Sequence, residues 1–131
     1  MLLELIIALH LKIIFTETPY FDCNKVNEKV ESCYYSDDRI YLSYQGNVNK
    51  NLYHEIGHAI FLKDSYSRII IKDYPLKYHY NIEVYKTNYD ILNESVADYF
   101  AEFMMNNKEF SVRYPCLWIY FNDKIKNLIL Y

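Results

Sequence analysis

Hydrophobic and polar positions along the chain change rhythm several times, and each change predicts an element. The apolar run at residues 2–9, LLELIIAL, suits a short helix. HLKIIFTET then alternates well enough for a strand, which Pro19 ends. Residues 20–31 are polar and irregular, although NKVNEKVE could hold a helical turn. ESCYYS and RIYLSY read as two short strands around the turn SDD, and Gly46 and Asn47 close the second. A helix should begin near Asn49 or Asn51, because Asn is a good N-cap, and run to about Leu62. On it Leu52, Ile56, Ala59 and Ile60 share one apolar side.

Residues 63–90 lose the rhythm. SRIIIK fits a strand or a helical turn, Pro75 interrupts, and YHYNIEVYKTNY is ambiguous, so a loop-rich excursion is expected. Periodicity returns near Asn93 in NESVADYFAEFMMN, where Val96, Ala97, Phe100, Ala101, Phe103 and Met104 follow the 3–4 spacing. Pro115 breaks the chain again. CLWIYFNDKIKNLILY then predicts a last helix with Trp118, Phe121, Ile125 and Leu128 on one side. Strands are thus segregated from helices. The expected class is α+β, with a small, mostly antiparallel three-stranded sheet beside a helical core. A length of 131 residues suits one domain spanning 1–131.

Composition excludes some functions. The net charge is −3, with scattered lysines and arginines, which argues against a nucleic-acid surface. The 16 tyrosines against 2 glycines read mainly as compositional bias, since Tyr packs as an aromatic and keeps a wet tip. The three cysteines, Cys23, Cys33 and Cys116, form no C-x-x-C pair, and the odd count suggests free thiols in a reducing compartment. A Cys23–Cys33 bridge is the less favoured reading. The apolar start lacks a basic n-region and a small-x-small cleavage site, and it is interrupted by Glu4, His10 and Lys12. It falls short of the roughly 18 apolar residues of a membrane span. The expected location is cytoplasmic, with no membrane partner.

The chemistry concentrates in NLYHEIGHAIF, residues 51–61. Residues four apart share a helix face, so His54 and His58 can aim two imidazoles at one point. Glu55, about 100° round the helix, can reach a metal's water without being a ligand. The bland alternative is a surface helix that happens to carry two histidines. Gly57 weighs against it, because Gly in a helix interior costs about 0.5–1 kcal/mol relative to Ala, and its missing side chain leaves room for another group.

A catalytic zinc usually takes three protein ligands. NESVADYFAEF offers Glu94, Asp98 and Glu102 along one stripe, which could equally be a solvated acidic face. In the functional reading Glu94 is the third ligand and Asp98 accepts the outer N–H of a ligating histidine.

HEIGHAIFLK followed by NESVADYFAEFMM resembles the ImmA/IrrE family of zinc metallopeptidases. That family shows H-E-[IL]-[GA]-H and, downstream, E-x-x-A-[DN]-x-F-A-x-x-[LF]-[LM]-[LM]. Glu94, Ala97, Asp98, Phe100, Ala101, Phe103 and Met104 match in place, and RIYLSY ahead of the histidine helix fits the family's order. The resemblance covers about residues 36–106. It implies a zincin-like fold with a Zn2+ site between two helices, His54, His58 and Glu94 as ligands, and Glu55 as catalytic acid/base. It also implies a protein or peptide substrate, such as a repressor or another regulatory protein. Family members often carry a helix-turn-helix or sensor domain, for which 131 residues leave no room, so recognition or a regulatory partner protein should take another form. A weaker likeness, YFAEF with FNDKIKNLIL, is to the end of the anthrax lethal-factor type of metallopeptidase, and there Asp98 would replace Glu94 as ligand.

Peptide hydrolysis also needs a donor for the oxyanion. Tyr89 is the candidate, with His79 and Tyr85 as others. RIYLSY, as a sheet edge beside the cleft, could hold an extended substrate by strand addition. Two rivals remain: a non-catalytic binding protein with a structural metal, and an α+β domain with no metal.

Overall fold

The computed structural model describes residues 1–23, 29–76 and 88–129. Helix α1 (Leu2–Ala8) leads into strand β1 (Lys12–Thr16), followed by β2 (Phe21–Asp22), β3 (Lys29–Val30), β4 (Ser32–Tyr35) and β5 (Arg39–Ser43). Four longer or shorter helices and one central one follow: α2 (Val48–Phe61), α3 (Ser65–Ile71), α4 (Asn88–Met105), α5 (Asn107–Arg113) and α6 (Pro115–Ile129). The class is α+β. Among the described residues no helix is long and apolar enough to cross a membrane.

The sheet departs from expectation. Its order is β1-β5-β4, with β1 parallel to β5 and β4 antiparallel to it, so it is mixed and not mostly antiparallel. The reason is topological. β4 and β5 form a local hairpin, while β1 skips that hairpin's first strand and pairs with its second, which runs the same way. Side-chain alternation marks strands but does not say which two will pair. Residues 20–31 also differ from the irregular stretch foreseen. Phe21 and Asp22 pair with Val30 and Lys29 in a short antiparallel ribbon, and NKVNEKVE falls partly outside the described residues.

The ribbon turns the chain back on itself, and Cys23 and Cys33 meet in a disulfide with Cα atoms 6.2 Å apart. This corrects the reading of three free thiols; among the described residues Cys116 alone is free, and it is exposed. Disulfides persist in oxidising compartments, so the thiol count no longer supports a reducing one.

The β4–β5 turn uses the SDD triplet as a three-residue loop. The Asp38 N–H donates to the Tyr35 carbonyl at 3.0 Å, and Asp38 has φ 68°. A type I turn closed by a left-handed residue is the usual three-residue hairpin, and Asp is one of the few non-glycine residues that enter that region at modest cost.

The core lies where α4 passes between α2, α5 and α6. Phe61, Phe100, Phe103, Phe110 and Phe121 are nearly or fully buried, and Phe121 lies 5.0–5.9 Å, ring to ring, from the other four. Such rings bury large apolar areas and gain from edge and tilted contacts. Helix α4 is buried almost all round from Ser95 to Ala101, as a central helix must be. It begins at Asn88 and not at Asn93, ahead of the point where the apolar rhythm becomes regular. On α6, Phe121 and Ile125 are buried as expected, together with Leu117, while Trp118 and Leu128 sit at the margin.

SRIIIK is resolved as helix. Asp64 caps α3 by accepting from the Tyr66 N–H at 3.1 Å. Its carboxylate also accepts from Tyr120 Oη at 2.6 Å and pairs with Lys124 Nζ at 2.9 Å, tying α3 to α6. Burial favours the neutral acid, but these partners outweigh it and hold Asp64 below its ordinary value of 3.8. A depressed carboxylate contributes stability above its unfolded pKa and loses it as pH falls through the folded one. Asp64→Asn keeps the cap and removes the charge. It should cost about 1–2 kcal/mol at neutral pH, between the worth of a charged hydrogen bond and that of an exposed ion pair, a difference that shrinks below pH 3.8; chemical denaturation at several pH values measures it.

Candidate metal centre

Helix α2 starts two to four residues earlier than the candidate caps suggest. Asn47, not Asn49 or Asn51, is the N-cap and accepts from the Lys50 N–H at 3.3 Å. Asn51 instead donates to Glu31 Oε2 at 3.0 Å. Leu52, Ile56 and Ile60 face the core as expected, with Ala59 only partly buried. The opposite margin of α2 carries His54, Glu55 and His58.

Gly57 decides how closely α2 and α4 approach. A Cβ there would lie 3.1 Å from the Ala97 Cα and 3.3 Å from Phe100. The room foreseen beside Gly57 is therefore filled by α4's own backbone. This close crossing turns the acidic stripe of α4 inward: the side chains of Glu94 and Asp98 are 17% and 7% exposed. The solvated-face reading fails for these two residues. Glu102, further along, is partly exposed and faces Arg113 at 3.8 Å.

The three donors converge. His54 Nε2 lies 3.1 Å from His58 Nε2 and 2.9 Å from Glu94 Oε2, and His58 Nε2 lies 3.1 Å from Glu94 Oε1. Among the described residues, His54, His58 and Glu94 form the one cluster whose ligand atoms could hold a metal. Ligands 2.0–2.1 Å from a tetrahedral ion sit about 3.3 Å from one another. The observed separations are a few tenths of an ångström tighter, and two imidazole nitrogens with one carboxylate are a suitable donor set for zinc.

Asp98 sits elsewhere on the same ring. Its Oδ1 is 2.7 Å from His54 Nδ1. It therefore accepts from the nitrogen that turns away from the cluster, leaving Nε2 turned toward His58 and Glu94. This geometry disfavours the lethal-factor-like assignment, in which Asp98 itself would be a ligand. Burial opposes a charge on His54, but the bonds to Asp98 and Glu94 and the charge of Glu55 outweigh it and hold its pKa well above the usual 6.5. Glu94 is held well below its usual 4.5, because the two imidazoles overcome the opposing effect of burial. The carboxylates demand a positive charge between the rings, which protons or a divalent cation can supply. Asp98→Asn should lower metal affinity about 10–100-fold while the fold persists, as read by competition against a chromophoric chelator.

Glu55 is 5% exposed and lies between α2 and the sheet. Ser32, the first residue of β4, donates from Oγ to Glu55 Oε2 at 2.7 Å. One carboxylate oxygen is thereby held and its orientation defined. The sequence contained no signal for Ser32, since only the pairing of β4 with β5 brings it over α2. Tyr89 falls in the first turn of α4, but its side chain lies outside the described residues, as do His79 and Tyr85. The expected free edge at RIYLSY does not exist: β5 is the central strand, with β1 on one side and β4 on the other. The strand beside Glu55 is β4.

No protein-family model, curated protein or solved structure matches this chain.

Proposed function

We propose that this protein is a zinc-dependent endopeptidase acting on a protein substrate. The observation that carries the reading is the convergence of His54, His58 and Glu94 within 4.8 Å of one another, with an unliganded, buried carboxylate, Glu55, on the next helical position. A purely structural metal site has no use for that second carboxylate. When bound, zinc would supply Lewis-acid polarisation of the scissile carbonyl and of the attacking water. The protein's own part is positional and protonic. His54 and His58 are held by α2, and Asp98 fixes the tautomer of His54. Glu94 spans both imidazoles from α4. Glu55 takes the proton of the attacking water and delivers it to the leaving amine, its orientation set by Ser32.

The resemblance to ImmA/IrrE metallopeptidases supports a regulatory protein, such as a repressor, as the substrate class. The test is direct. Purified protein is analysed for metal, then incubated with a cell lysate beside a Glu55→Gln control, and new N-termini are identified. Termini that appear only with the wild type support the proposal. Less than about half an equivalent of zinc, with no stabilisation on adding it, would sink it.

A further inference from the structure

The sheet has a second edge, on the side away from Glu55. β1 pairs with β5 on one side, and among the described residues no strand lies on its other side. The Lys12 N–H donates to the Asp38 carbonyl and the Thr16 carbonyl accepts from the Tyr44 N–H, so residues 12 and 16 turn their backbone groups toward β5. Alternation along a strand puts Ile14 with them and points the N–H and C=O of Ile13 and Phe15 outward.

This edge has little of the protection that soluble proteins give to unpaired strands. It carries one charge, Lys12, and no proline or bulge. Ile14 is 36% exposed and Phe15 44% exposed, and Phe15 stacks on the exposed Tyr44 with ring centroids 4.7 Å apart. Backbone groups and apolar side chains on one edge together suit an extended strand as the occupant.

We propose that the occupant is β1 of a second copy, paired antiparallel about a two-fold axis at Ile14 to make one continuous six-stranded sheet. A closed dimer of like subunits requires two-fold symmetry and hence antiparallel strands. Hydrogen-bonded partners must both be outward-pointing residues, so Ile13 pairs with Phe15 of the second copy, and Phe15 with its Ile13. Ile14 then faces its own counterpart, and Lys12 faces Thr16, so no like charges meet. Any other allowed register overlaps less of the five-residue strand. The contact is small, and association is therefore concentration-dependent.

The test uses the full chain with Cys116→Ser, which removes the exposed thiol. Ile14→Cys in that background should cross-link to a covalent dimer under mild oxidation, because the two-fold axis sets the new thiols side by side. Lys12→Cys should not, since residue 12 lies opposite residue 16. Sedimentation should show a concentration-dependent dimer for the unsubstituted chain and a monomer for Ile14→Lys. Equal cross-linking at positions 12 and 14, or a monomer up to about 1 mM, overturns the proposal.

Discussion

Glu55→Gln is expected to retain one equivalent of metal and lose peptide-bond cleavage by about 10²–10⁴-fold, the usual contribution of a positioned general base. The substitution is nearly isosteric, and the amide oxygen can still accept from Ser32, so packing between α2 and β4 should persist. What disappears is the ability to accept a proton. Metal content, thermal unfolding and new N-termini in a treated lysate separate the outcomes. Unchanged metal and stability with lost cleavage is the enzymatic result. Cleavage equal to wild type would mean that Glu55 is not the base, and sequestration of a lysate protein by both forms would favour a binding protein.

The second large effect is predicted at Gly57, which contacts no ligand atom. Gly57→Leu should destabilise the fold by about 3 kcal/mol, at the upper end of overpacking costs, and weaken metal binding as well. The reason is the 3.1 Å approach of a Cβ to the Ala97 Cα, which is backbone and cannot swing aside. Relief requires α4 to move away from α2. That motion carries Glu94 and Asp98 off His54, whose bonds to them are now 2.9 and 2.7 Å. Denaturant unfolding gives the stability change, and chelator competition gives the affinity. A variant that loses stability but binds metal as wild type would show that the two helices can separate without disturbing the donors.

Much of this arrangement was legible along the chain because it is local. His54 and His58 share a face by helical spacing, and Glu94 and Asp98 do so on a second helix. The periodicity that marked α2, α4 and α6 follows from the same rule. Residues 63–76 were harder, since a run such as SRIIIK is apolar enough for either periodicity. It is the cap at Asp64 and the contacts of Tyr120 and Lys124 that select helix. Thiol pairing was misjudged for a related reason. Parity of the cysteine count says nothing about a two-residue ribbon that folds Cys23 back onto Cys33.

Propensity, capping and helical spacing act over a few residues, so most of the longer elements and the residue types available for chemistry are readable along the chain. Long-range folding settles which strands pair, that β5 is central and so cannot offer an edge, and that Ser32 reaches Glu55. It also decides that Glu94 meets the Nε2 atoms of both imidazoles while Asp98 takes Nδ1 of His54. Apart from the β4–β5 hairpin, each of these is a contact between residues more than 20 positions apart. Such contacts are set by how closely α2 and α4 can approach at Gly57 and by the order in which strands close the sheet, and neither is encoded in any short window of the chain.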